Sequence, residues 1–216
     1  VTSKEQKLIF LNVIFATSLV IANVLAGKLV AFSENFVVPA AVVVYAVTFL
    51  ITDIVHEEYG KKQAKQTIIF GFAAQIFASI MIYLGYLLPV APFAQESQAA
   101  YEELLGQNAR FVLASAAAYL TSQFVDVYIF AAVKKMTKNR LKWLRNNLST
   151  ATSQFFDTSI FITIAFIGTV PNIWVMIVSQ YVIKLAIAVI DTPLFYLFTR
   201  KHRREQAQQE EHQQSA

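Results

Sequence analysis

Three stretches of the chain, residues 8–27, 35–52 and 66–95, contain no charged residue. Two more, 111–133 and 146–183, contain one each, Asp126 and Asp157. Backbone N–H and C=O groups in lipid must be bonded within their own segment, so apolar runs of this length become helices. A hydrocarbon core about 30 Å thick takes roughly 20 residues per crossing. The same pattern leaves no means of covering a water-facing surface: charged residues are 15% of the 216 and apolar residues 56%, whereas soluble domains carry about 25% charge. A soluble enzyme, a nucleic-acid-binding module and a disordered chain are excluded. The expected fold class is all-α, a polytopic integral membrane protein.

Six transmembrane helices are expected, at about 8–30, 38–57, 66–88, 109–133, 149–168 and 173–198, forming one domain over 1–204. Pro89 and Pro92 stop the third, and a Pro171-Asn172 turn follows the fifth. The first run has no small-residue cleavage site and reads as a retained helix. The Gln/Glu-rich segment 205–216 is expected to be a polar disordered tail. Lys and Arg set the orientation. Fifteen of the 18 fall at the N-terminus (Lys4, Lys7), in the second connection (Lys61, Lys62, Lys65), within 134–145, and in the tail (Arg200, Lys201, Arg203, Arg204). Lys28 and Arg110 fall on the opposite side, and Lys184 lies inside a span. Both termini are therefore expected to be cytoplasmic, and the net charge of +4 is a matter of topology. The connection 89–108, with Glu96, Glu102 and Glu103, fits the outer side. With no cysteine there is neither a disulfide nor a thiolate metal site.

Ionisable groups inside a bilayer are costly, and they face a bundle interior or a wet cavity. Here they are Asp53, Asp126, Asp157 and Lys184, with Asp191 nearer the cytoplasm. Asn12 and Asn23, about three turns apart, share a face of the first span. The segments 122–130 and 153–161 share the pattern S-Q-F-x-D-x-x-I-F. Gln123 with Asp126, and Gln154 with Asp157, therefore offer an amide and a carboxylate on one helix face. Gln180 stands one turn before Lys184, and Gln75 lies in the third span. Asn23–Asp126, Asp53–Asp157 and Gln75–Gln180 are each separated by about 104 residues, which pairs the first three spans with the last three as inverted repeats. Any one such residue can be a structural hydrogen-bond partner. Together, three mid-span acids against one Lys make a surplus suited to proton coupling or to a donor-rich substrate. Tyr45 and Phe49, at −8 and −4 from Asp53, are candidate aromatic walls, with Phe124, Phe156, Trp174 and Tyr181 also close to polar positions.

The stretches Phe49–Asp53, Tyr59–Ala64, Gln123–Phe130, Ser149–Thr158 and Tyr181–Lys184 occur in an order that resembles the queuosine precursor transporter family, small six-span proteins also called vitamin uptake transporters. The resemblance runs over roughly residues 10–198. It implies uptake of 7-cyano- or 7-aminomethyl-7-deazaguanine across a bacterial cytoplasmic membrane. A carboxylate accepts the ring's N1–H and exocyclic amine side by side, a Gln, Asn or Lys donates to O6, and aromatic rings stack on it. A second Asp can neutralise the aminomethyl cation. Carried over by position, the substrate-binding candidates are Asn23, Tyr45, Phe49, Asp53, Gln123, Asp126, Gln154, Asp157, Gln180 and Lys184. No cofactor and no nucleic acid is implied; a homodimer is a candidate assembly.

Two other readings stay open beside this secondary carrier. One is the substrate-binding S component of an energy-coupling-factor transporter, docked through Ala22-xxx-Ala26. The other is an intramembrane metal enzyme built on Asp53, His56 and Glu57 at i, i+3 and i+4. That spacing is not H-E-x-x-H, and the chain has neither a G-x-S-x-G elbow nor a P-loop, so the expectation is a protein that is not an enzyme.

Overall fold

The computed structural model describes residues 2–137, 142–187 and 189–190, with side chains described outside 142–147. The described chain is almost entirely helical. Its elements are α1 (Ser3–Ala26), β1 (Leu29–Ser33), β2 (Phe36–Pro39), α2 (Val42–Tyr86), a 3-10 turn (Pro92–Ala94), α3 (Gln95–Leu105), α4 (Asn108–Met136), α5 (Lys142–Phe166) and α6 (Ile173–Ile187). Three stretches, Ser3–Ala26, Val42–Tyr86 and Pro92–Met136, are long and apolar enough to cross a membrane. They bury only 28%, 11% and 17% of their most apolar windows. Phe10, Phe70, Phe77 and Leu113 lie on the outside, an arrangement that suits a hydrocarbon solvent and not water.

Two compact units make up the chain. The first takes residues 1–22, 41–78 and the chain from 184 onward; the second takes 23–40 and 79–183.

In the first unit α1 begins with a capping box: the backbone N–H of Thr2 donates to Glu5 Oε2 (2.8 Å) and the backbone N–H of Glu5 to Thr2 Oγ1 (3.3 Å). A straight α2 of 45 residues would measure about 68 Å at 1.5 Å per residue, more than twice a hydrocarbon core. It is broken instead at Gly60, where φ 85° and ψ 168° fall in a region essentially restricted to glycine. The chain reverses there. Before the break, Glu58 meets Lys7 and the Tyr59 hydroxyl donates to the carbonyl of Lys4. After it, the Thr67 hydroxyl donates to Asn12 Oδ1 (2.6 Å), and Gly71 lies against Phe15 and Leu19. A Cβ at Gly71 would come within 2.5 Å of the Phe15 ring. The first stretch of α2 thus runs against α1 and the second runs with it. Leu11, Phe15, Ile51, Ile54 and Val55 form the apolar core of this packing.

In the second unit α4 and α5 lie antiparallel. Arg110, in the first turn of α4, donates Nε and Nη2 to the carbonyls of Ile164 and Ile167 (both 2.7 Å), filling acceptors that the last turn of α5 leaves open. Phe111 beside it is fully buried and packs on Phe166 at 5.5 Å. Gly168 takes a left-handed φ of 82°, and Asn172 Oδ1 then accepts from the N–H groups of Trp174 and Val175, capping α6.

Several expectations need correction. The all-α class holds, with one detail added: between α1 and α2 stands an antiparallel hairpin, β1–β2, pairing Leu29 with Pro39 and Val30 with Val38. The first helix therefore ends at Ala26 rather than near 30, and the next begins at Val42 rather than 38. The run 29–39 is apolar enough to extend either span, but Gly27 and the Glu34-Asn35 tip favour a turn-and-strand course. The second connection is the break at Gly60, and the connection 89–108 folds as the 3-10 turn and α3. Asp191, the last part of the sixth expected span and the tail 205–216 lie outside the described residues.

Candidate functional site

The ten candidates divide between the units. Tyr45, Phe49, Asp53 and Lys184 belong to the first, and Asn23, Gln123, Asp126, Gln154, Asp157 and Gln180 to the second.

In the first unit Tyr45 and Phe49 stand one turn apart on α2 and stack, with centroids 6.3 Å apart and 23° between planes. Lys184 Nζ lies 5.4 Å from the centroid of the Tyr45 ring. Lys184 is buried, 6% exposed. The negative face of an aromatic ring attracts an ammonium, the more so where water is excluded, so the Tyr45 ring gives the lysine a partner from α2. Asp53, one turn beyond Phe49, is exposed. Gln75 is buried, and its Oε1 has no hydrogen-bond partner.

In the second unit the informative place is the crossing of α5 with α6. Tyr181 donates its hydroxyl to the carbonyl of Ala151 (3.1 Å). Its ring meets Phe155 edge-on, with centroids 5.6 Å apart, and Phe155 in turn meets Phe156 at 6.1 Å. The residues next to these contacts are Gln154 and Gln180. Gln180 is 0% exposed, and among the described residues neither its Oε1 nor its Nε2 has a hydrogen-bond partner. Gln154 Oε1 is likewise enclosed without a partner. Buried polar atoms in proteins are nearly always paired, and each one left open costs about 1–3 kcal/mol. Gln154 and Gln180 are thus amides with polar atoms unpartnered among the described residues, next in sequence to an aromatic contact whose Phe155 and Phe156 are partly exposed.

The remaining candidates are placed unevenly. Asn23 is buried, Asp126 and Asp157 are half-buried, and Gln123 is exposed. The two S-Q-F-x-D segments are therefore alike in sequence but not in setting. Their serines, Ser122 and Ser153, both turn back onto the carbonyl three residues earlier. Beyond them Gln154 is drawn inward and Gln123 left outside, and Phe124 is 76% exposed. Trp174 is also exposed.

The residues of the other two readings are engaged or placed differently. Lys7 Nζ sits 2.6 and 2.7 Å from the two carboxylate oxygens of Glu58, and His56 is exposed. Among the described residues no three of His, Cys, Asp or Glu come together as a metal site. Ala22 and Ala26, the proposed docking stripe, are both buried, so they are not presented to a partner. Two polar residues outside the sequence-derived set are engaged or enclosed: Thr67, the partner of Asn12, and Asn108, a buried residue in the first turn of α4 whose Oδ1 has no partner among the described residues. Asn108 stands at a span end where a polar residue is ordinary, so nothing in its position marked it.

Comparison with known proteins bears on this arrangement. No solved structure matches the chain. A protein of Bacillus subtilis (strain 168) named "Probable queuosine precursor transporter" is 38% identical over 157 residues, which cover 71% of this chain and 68% of that protein. The family model described as "Putative vitamin uptake transporter" matches residues 39–198, a range that holds every candidate except Asn23. The chain belongs to this vitamin uptake transporter family.

Proposed function

We propose that the chain imports a queuosine precursor, 7-cyano- or 7-aminomethyl-7-deazaguanine, across the bacterial cytoplasmic membrane as a secondary carrier of six spans with both termini inside. The substrate class is supported by the name of the Bacillus subtilis relative. The observation in this chain that carries the reading is Gln180, a fully buried amide with both polar atoms open. A side-chain amide pairs in register with the lactam edge of a guanine-like ring, its Nε2 donating to O6 and its Oε1 accepting from N1–H. Gln154 Oε1 takes a further ring N–H. The half-buried Asp126 and Asp157 accept the exocyclic amine and balance the aminomethyl cation. Phe155, Phe156 and Tyr181 supply aromatic surface to the ring. A Gln amide can turn over to pair with an adenine-like edge, so discrimination falls to the acceptor-only carboxylates, which an adenine-like ring meets with an acceptor at N1 and no 2-amine. Lys184 and Asp53 supply the charges by which transport is coupled to an ion.

The test is tRNA modification in a bacterial strain unable to make 7-deazaguanines, supplied with each compound externally. Wild-type protein should restore queuosine in tRNA, and Gln180→Leu should not. Absence of rescue by the wild type overturns the function. Full rescue by Gln180→Leu overturns the site. Purified protein in liposomes should take up the compound with no ATPase module present, which separates a carrier from an S component.

A further inference from the structure

A cavity of about 410 Å³ lies in the second unit, where the end of α2, α3 and the first turn of α4 meet. That volume falls within the roughly 300–1,000 Å³ of small-molecule sites. Three phenol rings line it: Tyr83 and Tyr86, nearly parallel with centroids 6.5 Å apart, and Tyr101, whose hydroxyl reaches the carbonyl of Ile82 at 3.4 Å. Besides the hydroxyls of these rings and of Ser79, its polar groups are the Asn108 amide and the Glu102 carboxylate. Asn108 is 5% exposed and its Oδ1 is buried with no hydrogen-bond partner among the described residues. Glu102 adds a carboxylate, one oxygen of which already takes a bond from Gln98. No Lys, Arg or His lines the cavity among the described residues.

Aromatic faces, a carboxylate and an open amide oxygen, with no cation among them, select a ligand by what they lack. An anion is repelled, and an aliphatic molecule leaves the acceptors unmet. A flat ring with N–H donors or an ammonium group satisfies both features. We propose that this cavity is a second binding site for a planar, N–H-donating heterocycle, with Asn108 and Glu102 as its acceptors and Tyr83, Tyr86 and Tyr101 as its walls. It is separate from the acids and amides further along the helices: Asn108 and Asp126 are 18 residues apart on α4, about 27 Å at 1.5 Å per residue. The cavity is also at the end of α4 away from Lys134 and Lys135. In the proposed orientation that is the external end, so the site would capture substrate before it enters the spans. The identity of the ligand rests on the substrate class proposed above.

Equilibrium dialysis of radiolabelled 7-aminomethyl-7-deazaguanine against the full chain in detergent tests this. Wild-type protein should bind two equivalents. Asn108→Leu, which removes the open acceptor at similar volume and should melt no lower than wild type, should keep one, and Gln180→Leu should keep the other. Glu102→Gln should weaken the Asn108-dependent equivalent about tenfold, since a bond to a charged acceptor is lost, and should change binding of the uncharged cyano compound little. One equivalent lost in Asn108→Leu and kept in Gln180→Leu upholds the cavity and overturns the inner site. One equivalent indifferent to Asn108→Leu overturns the cavity and leaves the transport reading intact. No binding by the wild type overturns both.

Discussion

At the scale of single residues, the buried amide of Gln180 and the buried ammonium of Lys184 carry the predictions. Gln180 has both polar atoms enclosed and open. Removing an unpaired polar group from an interior releases its desolvation cost, so Gln180→Leu is expected to hold or raise the melting temperature. Transport should fall about 30–150-fold, the equivalent of about 2–3 kcal/mol of lost paired bonding to substrate. A variant that loses stability and transport together would mark Gln180 as structural. Lys184 predicts differently. Its ammonium sits on the Tyr45 ring, so Tyr45→Leu should destabilise the protein by about 1–2 kcal/mol, while Tyr45→Phe, which keeps the ring face, should be nearly neutral. Thermal unfolding in one detergent compares the pair. Both residues were legible in sequence because an amide and an ammonium are conspicuous inside apolar runs. The contrast between Gln123 and Gln154 was not. Helical periodicity puts each Gln on the face of its Asp, but which face turns inward is decided by the neighbouring helix, and only α5 meets α6 at the aromatic contact of Phe155 with Tyr181.

At the scale of elements, glycine and capping residues decide where helices stop. Gly60 is the strongest case: its φ of 85° with ψ of 168° has no room for a Cβ-bearing residue's preferred backbone, although open space surrounds the position. Gly60→Ala should therefore cost about 1–3 kcal/mol through the backbone alone, read as a lowered unfolding midpoint. Asn172→Ala, which leaves two N–H groups of α6 without their acceptor, should cost about 1 kcal/mol. The helices themselves were readable because long charge-free runs admit no other structure in lipid. The hairpin at 29–39 was not, since hydropathy scores an apolar strand and an apolar helical turn alike. Its setting comes from long-range bonds, as where the backbone N–H of Val37 donates to Ser179 Oγ (3.3 Å). The basic turn at 59–64 was visible as a reversal, but that a single glycine makes it follows only from the pairing of Tyr59 with Lys4 on one side and Thr67 with Asn12 on the other.

At the scale of the whole molecule the open matter is direction. The inverted three-plus-three pairing predicts a boundary between halves, whereas the compact units cut through α1 after Ala22 and through α2 after Ala78. The division by packing does not follow the proposed repeat, which is tested by topology rather than by contacts. Charge supplies the prediction. Lys61, Lys62 and Lys65 cluster after the break at Gly60, while the 3-10 turn and α3 carry Glu96, Glu102 and Glu103 and no Lys or Arg. Positive residues are held on the cytoplasmic side, so α3 should face outward and the break inward. Because the chain has no cysteine, Ser97→Cys and Lys62→Cys each introduce a unique thiol at an exposed position. In intact cells a membrane-impermeant maleimide should label Ser97→Cys and spare Lys62→Cys, and permeabilised cells should label both. Labelling of Lys62→Cys in intact cells would invert the protein and place the cavity at Asn108 on the cytoplasmic side, where it would meet substrate on release and not on capture. Labelling of both in intact cells would mean that α2 does not make two crossings, and the six-span topology would fall with it.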